Sequence, residues 1–401
     1  MKNYFIPLAA AAAAYLAISA AHAADPRALI PPRYNAAHAP LSLSLSQHSS
    51  AAKRGATDTP DDEEVNVHVA LWQSFDVPAA VNGTQPSGIN DRGEITGAYF
   101  DANNYAHGFV RKSDGWIVIF DAPQVGYPAV FSGTVPTGIN NRGDVVGAYT
   151  DGAGATHGFV RSAHGKFTII DDPSSTSSPP ATFAQAINDW GKVVGYWIDA
   201  SSNPHGFVRH VDGSLTTVDP TGDLLSQCYH INDLGEVGGD WTDAATGTSH
   251  GMLLYPSGKL VTFDAPNAGT TFGGLGQSLN LEGSFAGTYT DTNGGLHGYV
   301  RYANGRFREF KAPLGGDSNF TGTWAASLNL LGTAVGFSVE ADGATVDGYV
   351  RFADGTLILA NAPVSGQQST FAWAINDVNE FTGYWYDANG AEHGFVALAV
   401  R

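Results

Sequence analysis

A single cysteine, Cys228, stands in 401 residues, so no intrachain disulfide can form and stability must come from packing. Charge is scarce too: Asp, Glu, Lys and Arg make up 14% of the chain, against roughly 25% in an average soluble domain. The basic residues are the scarcer kind, 20 Lys and Arg against 38 Asp and Glu for a formal net charge of −18, which argues against nucleic acid as a partner. Long apolar runs are missing except at the start. There Met1 and Lys2 precede an apolar run from Phe5 to Ile18 that ends in "AHA" before Ala24, the charged start, short core and small-residue exit of a secretory signal peptide. That run is too short to span a bilayer comfortably. No other stretch is as long, and no cysteine follows it to carry a lipid, so a secreted or periplasmic protein without membrane insertion is expected.

What the chain does have is glycine, 49 residues, and aromatics at 11%. Residues 24–65, with Pro31, Pro32, "LSLSLSQHSS" and "DTPDDEE", offer little to bury and read as a disordered linker. From residue 66 to 401 one pattern recurs. Its fixed point is an asparagine, at Asn90, Asn140, Asn188, Asn232, Asn280, Asn329 and Asn376, and seven copies at such a period mean a repeat architecture. Within a copy, short segments of β-branched and aromatic residues alternate with turn residues. In the first copy strand a ends at Ile89, strand b covers Glu94 to Tyr99, strand c His107 to Arg111 and strand d Trp116 to Asp121.

The turn between strands a and b is the most legible. Asn90 opens it and Gly93 takes the left-handed position of a type I turn with an αL residue, as do Asn140 and Gly143 in the next copy. In the seventh copy Asn379 replaces the glycine, and asparagine also tolerates that conformation. A second glycine lies mid-strand in every copy, Gly97 and Gly147 in the first two. Glycine weakens a strand, so its recurrence predicts a close approach by neighbouring backbone or side chain.

Four antiparallel strands per period predict an all-β fold, a seven-bladed β-propeller. An x-D-x-P element, varied to "FKAP" at 310–313 and "NAP" at 361–363, ends strand d and occurs once before the first Asn motif, as "FDVP" at 75–78, whereas the last copy stops after strand c. The N-terminal strand is therefore expected to complete the last blade and close the ring. With its Asn-Asp-x-Gly turn and the tripeptide His-Gly-Phe at His107, His157, His205 and His393, the repeat resembles the extracellular HAF-repeat family. That resemblance implies export and a propeller-like ring, and brings no catalytic residues. The fourth copy ("HGML") and the sixth, with Asp347 in place of His, depart from the pattern and are expected to differ structurally.

His107, His157 and their counterparts are each preceded by an aspartate in the b/c loop, Asp101 and Asp151 in the first two copies. Because nearly every copy needs the pair, it reads as structural, a histidine hydrogen bond beside an Asx turn. No metal and no cofactor is expected. A ligand site should instead lie where copies disagree. Three and five residues before each Asn the residue types vary, and these positions, with His230 next to one of them, place Gln227, Tyr229, His230, Gln277, Trp324 and Trp373 around one mouth of the channel. Aromatic faces with amides suit a carbohydrate or other neutral polar molecule. The sequence thus predicts a monomeric binding or scaffold protein. The alternative, a hydrolase or lyase acting at the mouth, has only Tyr229 and His230 to work with, or Cys228 paired with His230 two residues on, on the same face of a strand.

Overall fold

The repeated asparagine turn is a tight hairpin. In the first copy Gly93 N–H donates to the Asn90 carbonyl and Asn90 N–H to the Glu94 carbonyl, each at 3.0 Å. The left-handed residue is where the sequence put it: φ is +71° at Gly93, +82° at Gly143 and +65° at Asn379. The asparagine side chain completes the turn, its Oδ1 accepting from Arg92 N at 3.1 Å and Glu94 N at 3.0 Å.

The structure is a computed structural model that describes residues 67–129, 132–269, 274–317, 321–364 and 369–401; the expected leader and the whole of the expected linker lie outside them. After β1 (His68–Phe75) come the strands of the first repeat, β2 (Gly83–Ile89), β3 (Ile95–Phe100), β4 (Ala106–Arg111) and β5 (Ile117–Phe120). The second has β6 (Thr134–Ile139), β7 (Val145–Thr150), β8 (Thr156–Arg161) and β9 (Phe167–Ile170), and the third β10 (Thr182–Ile187), β11 (Val193–Ile198), β12 (Pro204–Arg209) and β13 (Leu215–Val218). The fourth has β14 (Asp223–Ile231), β15 (Val237–Asp243), β16 (Ser249–Leu254) and β17 (Leu260–Phe263). The fifth has β18 (Leu275–Leu279), β19 (Phe285–Thr290), β20 (Leu296–Arg301) and β21 (Phe307–Phe310), and the sixth β22 (Gly322–Leu328), β23 (Ala334–Val339), β24 (Val346–Arg351) and β25 (Leu357–Leu359). The last repeat has β26 (Ser369–Ile375), β27 (Glu380–Tyr386) and β28 (Glu392–Val400).

Among the described residues the first four repeats are separate four-stranded antiparallel sheets, and the remainder join into one twelve-stranded sheet. The joins are single parallel contacts, Leu296 with Gly322 and Val346 with Ser369, so the twelve strands are still antiparallel meanders laid side by side. The fold is all-β, of the propeller type. β1 pairs antiparallel with β28, His68 opposite Val400 and Phe75 opposite Gly394. Trp72 stacks on Phe395 with ring centres 4.2 Å apart, and Ser74 Oγ accepts from Trp385 Nε1 at 2.9 Å.

Neighbouring repeats are held by the same asparagines. Asn90 Nδ2 donates to the Asn140 carbonyl at 2.9 Å, Asn140 to Asn188 at 3.0 Å and Asn188 to Asn232 at 3.1 Å. Asn232 donates to Asn280, Asn280 to Asn329 and Asn329 to Asn376. Asn376 donates to Asn90 at 2.9 Å, across 286 residues of chain. All seven are buried, where an unmatched amide or carbonyl would be costly. Further out, the arginine ending a third strand lies over the aromatic ring of the preceding repeat: Arg161 4.5 Å from Phe120, Arg301 4.6 Å from Phe263, Arg351 4.9 Å from Phe310. Arg111 stands in the same relation to Phe75 of β1, at 5.0 Å. Between the strands, Phe109, Phe159, Phe207 and Phe395 of the His-Gly-Phe motifs are wholly buried, each stabilising by roughly 1.5–3 kcal/mol.

The mid-strand glycines have a specific cause. In every repeat the pairing of the first two strands slips by one residue, between Pro86 and Gly88 in the first and at the equivalent step in the other six. This β-bulge swings the carbonyl five residues before the asparagine onto the second strand. A Cβ on Gly195 would lie 1.9 Å from the Phe183 carbonyl oxygen, and one on Gly97 2.1 Å from that of Gln85. Only glycine fits. Gly195→Ala should therefore lower the free energy of unfolding in urea by about 3 kcal/mol or more, while Gly152→Ala, whose Cβ would meet nothing within 4 Å, should leave it within about 0.5 kcal/mol.

Candidate functional site

A bulge leaves one residue unpaired and re-aims its side chain. Here the bulged positions are Ser87, Thr137, Gln185, Tyr229, Gln277, Ala326 and Trp373, the third residue before each asparagine and among the most variable positions in the repeat. All but Tyr229 line a cavity of about 300 Å³ enclosed by first strands from all seven repeats, and His230 joins them. Ser87 Oγ and Thr137 Oγ1 are engaged, each donating at 2.9 Å to a carbonyl of the next repeat, Pro136 and Ala184. Gln185 and Gln277 are buried, line the cavity, and have no side-chain hydrogen-bond partner among the described residues. Burial pushes the His230 imidazole down to about 4, so it is neutral near pH 7. The cavity wall is thus two amides, a neutral imidazole and the flank of Trp373.

The predicted site residues divide. His230, Gln277 and Trp373 come together on the cavity. Gln227 and Tyr229 do not reach it; the Tyr229 hydroxyl donates to Gln227 Oε1 at 2.6 Å, and the ring packs among Ala148, Phe183, Tyr196 and Ile198. Trp324 lies off the cavity, its ring parallel to Phe337 at 6.0 Å, and Phe337 is likewise parallel to Trp373 at 6.0 Å, so three rings form one stack across the sixth and seventh repeats. The expectation that Cys228 and His230 share a face is corrected by the bulge at Tyr229, which breaks the alternation. Cys228 is wholly buried among Val194, Val208, Ile231 and Met252, where burial pushes its thiol far above the ordinary range.

Two acidic side chains escaped the sequence reading. Asp240 sits opposite Gln227, is 6% exposed, and has an Oδ1 without a partner. Burial pushes its carboxyl up to about 7, against the opposing pull of a backbone amide and the Tyr229 hydroxyl. Glu392, beside Gly83 of the first repeat, is pushed up to about 8 by burial, with a hydrogen bond from Gln85 opposing. Asp240 left a sign in the sequence: the residue after the mid-strand glycine is Ala98, Ala148, Tyr196, Thr288, Phe337 or Tyr384 elsewhere, and is acidic only here.

The repeated histidines lie on the outer part of the strands. In most repeats their Nδ1 atoms meet the aspartate of the x-D-x-P element: His107 with Asp121 at 3.0 Å, His157 with Asp171 at 2.7 Å, His250 with Asp264 at 2.8 Å and His393 with Asp76 of β1 at 3.0 Å; in the fifth, where Lys311 takes the place of that aspartate, His297 pairs through Nε2 with Asp291 at 3.0 Å. Each ring stacks on an aromatic of the second strand, as His107 does on Tyr99 and His205 on Trp197. The b/c-loop aspartates start Asx turns, Asp101 accepting from Asn103 N at 2.8 Å and Tyr105 N at 2.9 Å. The two irregular copies keep this geometry, contrary to expectation. His250 of the fourth is paired as above, and in the sixth Asp347 accepts from Asn361 Nδ2 at 2.6 Å, a double exchange of His for Asp and Asp for Asn that preserves the bond. His205, Asp219 and Asp223 bring three ligand atoms within 4.8 Å of one another, the one such group among the described residues. Burial and Asp219 hold the Asp223 carboxyl above its ordinary value.

No family model matches the chain, and no curated protein matches it by sequence. Among solved structures, the BP39L lectin from Burkholderia pseudomallei is similar at a TM-score of 0.51 and 12% identity, over 77% of this chain and 94% of that one. A mutant puromycin hydrolase complexed with PGG gives a TM-score of 0.49 at 12% identity over 78% of this chain, which spans only 52% of the hydrolase. A mutant Aleuria aurantia lectin in complex with Fucα1-6GlcNAc gives 0.40 at 10% identity, over 70% and 98% of the two chains. The first of these likenesses supports the propeller-type fold.

The titrating groups set the pH response of stability. Asp101, Asp151, Asp199 and Asp387 are subject to burial, which would raise them, but backbone amide donors prevail and hold them low. Their stabilisation is complete above about pH 4 and is lost as pH falls through their folded values. His393 is held high by its hydrogen bond to Asp76, against burial, and Asp240 and Glu392 are held high by burial. Groups raised on folding stabilise fully below their unfolded values and lose that contribution as pH rises through the folded ones. The melting temperature should therefore fall between about pH 5 and pH 8. Asp240→Asn should flatten that fall, gaining on the order of 1–3 kcal/mol relative to the parent at pH 8 and little at pH 5; equal shifts at both pH values would refute the assignment.

Proposed function

We propose that this chain is an exported binding protein of HAF-repeat type, a seven-bladed propeller closed by its N-terminal strand, whose channel holds a neutral, hydroxyl-rich small molecule such as a sugar unit. Closure is supported by the pairing of β1 with β28 and by the asparagine bond from the last repeat to the first. The observation that carries the ligand class is the pair of cavity-lining amides of Gln185 and Gln277, on one wall with neutral His230 and Trp373. Amides and a neutral imidazole donate and accept at once, which suits hydroxyls, and an aromatic face suits the C–H surface of a sugar ring. A charged ligand has no counter-ion among these four side chains.

The lectin character of the BP39L protein makes glycans and their monosaccharides the first compounds to screen. Trp324, behind Phe337, supports Trp373 in this reading, and Gln227 and Tyr229 hold the fourth repeat in shape. For a ligand found in such a screen, Gln277→Leu and Trp373→Ala should each weaken binding by about tenfold or more in calorimetry. Tyr229→Phe should change affinity by less than about threefold while lowering stability. Equal affinity in Gln277→Leu, Trp373→Ala and the parent would place the ligand elsewhere.

A further inference from the structure

The third and fourth repeats are joined differently from the rest. The element that follows β13 reads Val218-Asp219-Pro220, one residue shorter than the "FDAP" form. At other junctions the residue after that aspartate donates its N–H to a threonine of the next first strand, as Ala122 does to Thr134 Oγ1 and Asp172 to Thr182 Oγ1, both at 3.0 Å. Pro220 has no N–H to give. Ser226, which stands in the threonine's place, turns to the aspartate instead and donates to Asp219 Oδ1 at 2.6 Å. The short connection folds back through Gly222, with φ of +86°, and Asp223 N donates to the Pro220 carbonyl at 3.2 Å. β14 therefore starts at Asp223, ahead of Ser226, and carries a second carboxylate to the pair of His205 and Asp219. His205 Nδ1 lies 3.1 Å from Asp219 Oδ2, and its Nε2 faces Asp199 Oδ2 at 3.5 Å. Asp223 is partly exposed, yet its Oδ2 is shut off from solvent and has no hydrogen-bond partner. Neither Asp219 nor Asp223 forms an ion pair with a lysine or arginine among the described residues.

We propose that His205, Asp219 and Asp223 bind a divalent transition-metal ion of the zinc type, through Nδ1 and one oxygen of each carboxylate. The donor set selects the class of ion. An imidazole nitrogen beside two carboxylate oxygens suits zinc and its neighbours, whereas calcium and magnesium take oxygen alone. Three protein ligands with a fourth position left for water is an arrangement that zinc adopts. With bonds of about 2.1 Å, a tetrahedral shell sets its ligand atoms roughly 3.4 Å apart. The three atoms lie within 4.8 Å of one another, a difference that side-chain rotation closes. The ion neutralises two carboxylates that otherwise repel, and Asp199 accepts the Nε2–H, fixing the tautomer that leaves Nδ1 for the metal. The histidine–aspartate pairs of the other repeats gather no third ligand atom in this way among the described residues. A bond that is structural elsewhere thus becomes a site in one copy. None of the three side chains lines the channel cavity, so the inference is independent of the ligand held there.

Calorimetric titration of the metal-free protein, carrying no histidine tag, with zinc chloride tests the assignment. One ion per chain should bind and should raise the melting temperature, since it binds the folded chain alone. Asp223→Asn should weaken that binding by about a hundredfold or more. In the presence of a chelator the same variant should melt no lower than the parent, because repulsion from Asp219 is relieved, so the loss reports on the ligand and not on the fold. Asp199→Asn retains an oxygen for Ser201 N and Asn203 N, which Asp199 Oδ1 accepts at 2.8 Å each, but cannot accept the Nε2–H; it should weaken binding by about tenfold. The absence of a saturable one-to-one site, parental affinity in either aspartate variant, or displacement of the zinc by millimolar calcium would each overturn the assignment.

Discussion

The amide of one asparagine per repeat is the interaction on which the rest depends. Its Oδ1 closes its own hairpin by accepting from the backbone amide four residues on, and its Nδ2 donates to the equivalent carbonyl of the next repeat: Asn90 Oδ1 accepts from Glu94 N, and Asn90 Nδ2 donates to the Asn140 carbonyl. One side chain thus shapes the turn and spaces the neighbours, and no aspartate or glutamine could do both at that reach. Because the bond is buried in each of the seven cases, losing it strands two polar groups rather than one. The arginine–aromatic contacts repeat the same step farther from the axis, while the histidine–aspartate pairs tie the third strand to the end of the fourth within a repeat. Asn376 of the last repeat meets Asn90 of the first, Arg111 of the first lies over Phe75 of β1, and His393 of the last pairs with Asp76 after β1, the strand that β28 flanks.

Spacing fixed by that bond gives the bulge its role. With the turns locked at one end, an extra residue in each first strand is accommodated three positions upstream, and in all repeats but the fourth it lines the cavity. The supporting residues can then stay constant while the bulged residue changes from Ser87 to Gln185 to Trp373. The varied cavity wall and the constant architecture are separated by a single position in the repeat, which is why a chain so repetitive can still enclose an asymmetric wall.

Much of this was legible in the residues themselves. Turn glycines announced the αL positions, the displaced "FDVP" announced that an N-terminal strand would be needed by the last repeat, and the mid-strand glycines announced a close approach. The bulge was not legible, because strict alternation is the default reading of a strand and nothing in Ser87 or Tyr229 advertises a slipped register. That one omission put Cys228 and His230 on one face and sent Gln227, Tyr229 and Trp324 to the cavity. The exchange of Asp347 with Asn361 was missed for another reason: its halves lie in two motifs 14 residues apart, and each alone looks like a defect. Asp240 stood out only against its six counterparts, once the glycine before it was known to sit beneath a carbonyl.

The account's central claim is that the asparagine circuit makes the repeats one cooperative body whose two chain ends are coupled. Urea unfolding of Asn376→Ala, followed at once by tryptophan fluorescence and far-ultraviolet circular dichroism, tests it most directly. The account predicts a single transition, coincident by both probes, displaced to lower urea by about 1–3 kcal/mol. A displaced fluorescence transition with unchanged dichroism, or no displacement at all, would contradict it, since either would mean that the last repeat is not coupled to the first.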